Sequence, residues 1–254
     1  MFLVSTSVLL VETLLAVTTK RRYNSGVNAG RKKGRSTVNE ISQGKSRVKS
    51  KTKEKDYHHG DLRHALLGEA LKVIEAEGAE QLTLRDLARR IGVSHAAPYR
   101  HFSDKAELFV ALAEEGFKEL LAALSQVEPT PNAGMLARFQ EIAVVYVQFA
   151  LRNPARFSVM FGPEVSATCG ENPPAPMLAT MEFVLKLMEK GQAEGQLVPG
   201  QPIVQATTAW ALVHGLSVLL INHKLKDKGL EKMAPEELAR AVTASLATGL
   251  LTGN

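Results

Sequence analysis

The sequence predicts an all-α protein in two parts, an N-terminal three-helix helix-turn-helix domain and a C-terminal helical domain. Three observations carry this expectation. Apolar residues recur at helical spacing, as at Leu84, Leu87, Ala88 and Ile91, which places them on one face of a 3.6-residue period. Helix start and stop residues punctuate such stretches, among them Gly78, Thr83, Gly92 and the Pro199-Gly200-Gln201-Pro202 turn. No strand-like alternation or internal repeat stands out, and the pattern accommodates about nine or ten helices.

Charge separates the first segment from the rest. Residues 1–56 hold 13 Lys and Arg against 4 Asp and Glu, leaving 18 against 22 for the remainder, so the net charge of +5 belongs to the tail. From Lys20 to Asp56 the chain is rich in Lys, Arg, Ser and Gly without apolar periodicity, which predicts a disordered basic extension. It reads as a solvated tail, or an over-extended start, ahead of an arm adding nonspecific phosphate contacts. Residues 1–19 are apolar but carry Glu12 and lack a basic leading segment, a poor match to a membrane span or a signal peptide.

Residues 57–105 form the expected DNA-binding domain. A first helix after Tyr57-His58-His59-Gly60-Asp61-Leu62-Arg63 buries Leu62, Leu66, Ala70, Val73 and Ile74 and ends at Gly78. The next stretch, 82–105, reads LTLRDLARRIGVSHAAPYRHFSDK. Thr83 is a good N-cap, with Asp86 three residues on in a capping-box-like pattern. Gly92 ends that helix, since glycine alone enters a left-handed C-terminal conformation without a Cβ penalty. Ser94 then caps a second short helix, a spacing that suits one helix to the DNA major groove.

This block resembles the DNA-binding domain of the tetracycline-repressor (TetR/AcrR) family on Thr83, Arg85, Leu87-Ala88, Gly92-Val93-Ser94, Tyr99, His101-Phe102 and Asp104-Lys105. The resemblance implies phosphate contacts from Thr83, Tyr99, His101 and Lys105. Base readout falls to His95, Ala96 and Ala97 beside Ser94, with Arg85 reaching in; Arg100 and Arg89 suit either role. It also implies a homodimer on a palindromic double-stranded operator in the cytoplasm.

Residues 106–254 read as the C-terminal domain. A helix from about Asp104 to Leu124 crosses the boundary, and Pro129-Thr130-Pro131-Asn132 marks a break. Helices follow near 134–152, 154–161 and 177–194, with 163–176 a loop by composition. The last two, near 203–224 and 235–252, are the most apolar. Gln205, Thr207, Thr208 and His214 argue against a membrane span. A helix apolar nearly all round in a water-soluble protein is buried on two sides, so these two are expected to form the dimer interface, helped by the small residues Ala239, Ala241, Ala244, Ala247 and Gly249.

Trp210-x-x-x-His214-Gly215, the YHHGDLR string and Phe149…Asn153-Pro154…Met160-Phe161-Gly162 resemble the W-H-G subset of the same family. That implies a small-molecule effector, and the scarcity of acidic residues on these helices points to an apolar or aromatic one. Phe139, Tyr146, Phe149, Met181, Trp210 and His214 are the candidate contacts, although helical spacing alone demands most of these apolar residues. His214 either bonds a ligand or is satisfied by a backbone carbonyl.

Other classes find no support. No G-x-S-x-G, P-loop, G-x-G-x-x-G or H-E-x-x-H motif is present. Ser94 and His95 are helix neighbours that do not face each other. One cysteine, Cys169, excludes an intramolecular disulfide. Adjacent His58 and His59 lack further ligands, so no metal or cofactor is expected. The expected function is a ligand-released transcriptional repressor. The alternative is a constitutive regulator or activator whose second domain only dimerises.

Overall fold

The computed structural model describes residues 59–128, 134–170, 172–226, 229–230 and 232–250. The expected extension at 1–56, Tyr57-His58 and the break at 129–132 lie outside these residues. Among the described residues every regular element is helical, nine α-helices and two 3-10 turns.

Helix α1 (His59–Glu77) buries the Leu62, Leu66, Ala70, Val73 and Ile74 stripe and stops at Gly78, whose φ is 90°. A 3-10 turn at Ala79–Gln81 leads into α2 (Leu84–Ile91). The Thr83 Oγ1 accepts from the Asp86 N–H at 3.1 Å, a working N-cap. The reciprocal half of a capping box is missing, because Asp86 turns its carboxylate to Arg89 and Arg90. Gly92 ends α2 in the left-handed conformation at φ 75° and ψ 34°.

The segment after Gly92, where a second short helix is expected, is wound as 3-10. Its backbone makes i→i+3 bonds, from Ala97 N to Ser94 O, Arg100 N to Ala97 O and His101 N to Pro98 O, and Pro98–Arg100 is a 3-10 turn. Pro98 supplies the reason. It has no N–H to give the Ser94 carbonyl, so the Ala97 N–H takes that oxygen at 2.9 Å and the winding tightens.

Helix α3 (Lys105–Ser125) starts on Asp104, whose carboxylate accepts from the Glu107 N–H at 2.8 Å. Glu107 in turn accepts from the Ser103 N–H at 2.6 Å. The first half of α3 packs Leu108, Phe109 and Leu112 with Leu66 and Phe102; the second half sends Phe117, Leu120 and Leu124 into the C-terminal bundle. One hydrophobic core therefore runs across the 105/106 boundary.

The bundle comprises α4 (Gly134–Arg152), α5 (Pro154–Met160), α6 (Pro163–Cys169), α7 (Ala175–Ala193), α8 (Pro202–Ile221) and α9 (Pro235–Leu250). Helix α6 lies in the stretch expected to be a loop. Gly162 is its N-cap, Pro163 sits in its first turn, Gly170 is its C-cap and Val165 is buried. Pro and Gly there mark the ends of a helix, a role composition alone does not separate from loop punctuation.

Helix α4 packs on α9 and α8, and α7 on α3 and α8. Helix α5 packs on α1 and α4 as well as on α3. The α3–α5 crossing needs glycine, since a Cβ at Gly116 would lie 2.5 Å from the Met160 Sδ. Arg156 of α5 pairs with Glu119 of α3 beside it.

Helix α8 is long and apolar enough to cross a membrane, with mean hydropathy 1.5, but it packs against α4, α7 and α9. Its buried Gln205 is satisfied, donating to the Val198 carbonyl at 3.0 Å and accepting from Gln192 at 3.0 Å. Its outer face stays apolar: Val204 is 56% exposed and Leu219 42% exposed, with Ala211 also exposed. Helix α9, packed on α8, exposes Ala241, Ser245 and Thr248.

Candidate functional site

Two places in this fold have the makings of a site. The first is the surface formed by α2 and the turn after it. Pro98 and Phe102 are buried, and Val93 and Ala97 pack against the same core. These anchors leave Thr83, Arg85, Ser94, His95, Ala96, Tyr99 and Arg100 exposed, Tyr99 at 49%. Ala97, His101 and Lys105 are half-buried at the edges of that surface.

Local interactions sort its cations. The Arg89 guanidinium donates to Asp86 Oδ1 at 2.6 Å, and Arg90 donates to Asp86 Oδ2 at 2.5 Å and to Glu77 of α1 at 2.5 Å. Arg90 first, and Arg89 with it, hold the Asp86 carboxyl below its usual range. Arg89 is thus engaged in a network tying α2 to α1, whereas Arg85 and Arg100 form no ion pair among the described residues. Lys105 spends one donor on the Glu80 carbonyl at 3.2 Å and lies 5.6 Å over the Phe109 ring, leaving two N–H groups for a phosphate. Thr83 keeps its hydroxyl proton, since its oxygen acts as acceptor in the cap.

The second place is a cavity of about 70 Å³ lined by residues of α3, α4, α7, α8 and α9 and by Phe161. A buried water needs roughly 10–15 Å³ on this scale, so there is room for about five to seven water-sized atoms. Phe139, Tyr146, Met181 and Trp210 line it, and no lining residue is charged. Phe149 and His214, also expected there, lie outside the lining. Phe149 is buried in the core next to it.

His214 sits behind the wall instead, and its partner within the protein is a side chain and not a backbone carbonyl. Its Nδ1 is 3.1 Å from the Tyr146 hydroxyl, which also accepts from the Trp210 Nε1–H at 3.3 Å. The ring stacks on Phe157 at 5.2 Å between centroids and meets Phe161 edge-on at 4.5 Å. Burial pushes the His214 pKa down to about 4, so the imidazole is neutral at pH 7. Burial likewise raises the Tyr146 pKa above its ordinary value. With Trp210 donating to the tyrosine oxygen, the arrangement that uses each group once has the Tyr146 O–H donating to Nδ1.

Sequence reasoning missed Thr180 and Thr243, the two hydroxyls in the cavity lining besides Tyr146. The available signal was a Thr at an inward helical position. Thr180 follows Met177 by three and precedes Val184 by four, and Thr243 falls midway between Ala239 and Ala247. Among the described residues no group of three or more His, Cys, Asp and Glu is placed to hold a metal.

Comparison with known proteins bears on both places. Residues 66–112 match the family described as bacterial regulatory proteins, tetR family, and residues 139–246 match the tetracyclin repressor-like C-terminal domain. The nucleoid occlusion factor SlmA of Shewanella halifaxensis is 30% identical over 163 residues, spanning 61% of this chain and 81% of that protein. A protein with unknown function from Rhodococcus sp. RHA1 superposes with TM-score 0.64 at 33% identity, covering 78% of this chain and 100% of the other. A bacterial regulatory protein in the tetR family from Rhodococcus RHA1 shares the fold with TM-score 0.58 at 20% identity, over 76% and 98% of the two chains.

Proposed function

The chain belongs to the tetR family of bacterial regulatory proteins, and from that premise we propose that it is a cytoplasmic transcriptional repressor, released from a palindromic operator by a small apolar effector. Family membership already carries DNA binding, transcriptional regulation and dimerisation. The observation that supports the finer reading is the pairing of an exposed reading surface with an uncharged cavity in one continuous core.

On the DNA side, Arg85 and Arg100 are the cations free to meet bases or phosphates, and Tyr99 presents its hydroxyl from a rigid 3-10 turn. Thr83, Ser94, His101 and Lys105 position the backbone, while His95, Ala96 and Ala97 face the base edges. The apolar outer face of α8, with Val204, Ala211 and Leu219, suits a second copy of the chain laid against α8 and α9. An effector that binds better where the two reading surfaces are wrongly spaced shifts the population away from the operator. Helix α5 is the mechanical link, since it touches α1 and α3 on one side and stacks Phe157 on His214 behind the cavity wall.

Operator selection from a random duplex library tests this reading, using the full chain with Tyr99→Ala and Arg85→Ala. The expected result is an enriched palindrome, lost with Tyr99→Ala and relaxed at one position with Arg85→Ala. No enrichment by the unaltered chain would sink it. The likeness to nucleoid occlusion factors supports a second reading, in which DNA binding serves nucleoid occlusion instead of a promoter. Chromosome-wide mapping separates the two: sites at a few promoters favour repression, and sites scattered along the chromosome favour occlusion.

A further inference from the structure

The hydrogen-bond inventory of the cavity is lopsided. Three hydroxyls and one indole N–H line it, and with the Tyr146 O–H assigned to His214 Nδ1 every proton they carry has an address inside the protein. Thr180 donates to the Pro176 carbonyl at 2.8 Å, and Thr243 donates to the Ala239 carbonyl at 2.8 Å. Trp210 donates to the Tyr146 oxygen, and Tyr146 is paired with His214 Nδ1. What remains toward the cavity is acceptor capacity, the unused lone pairs of Thr180 and Thr243. No Lys or Arg lines the space, and His214 behind it is neutral at pH 7.

From this we propose that the cavity takes a small neutral, mostly hydrocarbon molecule whose polar group donates a hydrogen bond, such as an alcohol, and that it rejects carboxylates. The inference rests on the effector reading and specifies the chemistry of that same site. A donor on the ligand meets an open lone pair and gains a hydrogen bond. A ligand with only acceptors finds no free donor and loses its water without compensation. A carboxylate fares worst, since it would be buried with neither a counter-charge nor an N–H to hold it.

Trp210 is the one tryptophan in the sequence and lines the cavity, so its fluorescence reports occupancy directly. Hexan-1-ol, hexan-2-one and hexanoate are titrated into the full chain at pH 7, with operator release followed in parallel on the selected duplex. The alcohol is expected to change Trp210 emission saturably, the ketone to bind about threefold or more weakly, and hexanoate about tenfold or more weakly. The double variant Thr180→Val with Thr243→Val, which keeps side-chain shape, is expected to bring alcohol and ketone to similar affinity. Hexanoate or the ketone binding as tightly as the alcohol overturns the proposal, and so does the absence of any saturable response. A saturable alcohol response without operator release supports the ligand class and overturns only the effector reading beneath it.

Discussion

The Tyr146 hydroxyl and the His214 Nδ1, 3.1 Å apart, join the cavity wall on α4 to a ring packed against α5. His214 is 68 residues from Tyr146 in sequence, yet the fold brings the two rings together behind the cavity lining.

The burial of His214 predicts acid sensitivity. The His214 pKa falls from 6.5 to about 4 on folding because burial penalises the imidazolium. The unfolded chain therefore binds the extra proton first. The stability contribution is complete above pH 6.5 and is lost as pH falls toward 4, about 2 kcal/mol by pH 5. Tyr146, the titratable group facing the ring, stays protonated throughout. Urea unfolding at pH 7 and pH 5 should show this loss in the unaltered chain and a smaller one in His214→Asn; equal losses would refute the assignment.

Gly116→Ala should loosen the α3–α5 crossing. Its Cβ would meet the Met160 Sδ at 2.5 Å and the Arg156 Cγ at 3.1 Å. Overpacking of this kind costs ~1–3 kcal/mol. Adding Met160→Ala should recover part of the loss because it clears the space. Additive losses in the double variant, read by thermal unfolding, would count against the contact.

Gly92→Ala puts a Cβ into a backbone at φ 75° with open space around it, so the penalty is conformational and not steric crowding. It should cost about 1–2 kcal/mol, a fall of several degrees in Tm that no neighbouring substitution rescues.

Arg85→Ala and Arg90→Ala should part company. Arg85 is exposed and forms no ion pair among the described residues, so its loss should cost ~1–3 kcal/mol of discrimination at one base position and leave Tm unchanged. Arg90 holds Asp86 and Glu77, so its loss should lower Tm slightly and weaken all operators alike. Binding to operator variants, with thermal melts alongside, separates the two; a specificity change in Arg90→Ala would reverse their roles.

Much of this molecule is legible in one dimension. Apolar spacing determined the helices and their buried faces, as in α1. Thr83, Gly92 and Gly78 fixed helix ends through backbone chemistry that depends only on the residue and its neighbours. The string from Thr83 to Lys105 sufficed for the family. Other decisions were tertiary. Pro98 removes one N–H and tightens the winding, but which side chains of that turn stay exposed depends on anchoring Pro98 and Phe102 in the core. Pro163 and Gly170 bound a helix because Val165 finds a buried place. Arg85 and Arg89 look alike in sequence; Asp86 and the close approach of α1 engage one pair of guanidiniums and leave Arg85 exposed. Trp210 and His214 share a helix face by spacing, yet only the packing of α4 and α5 puts one in the cavity wall and the other behind it. Helical period fixes which side chains point inward, whereas what they meet there depends on partners tens of residues away.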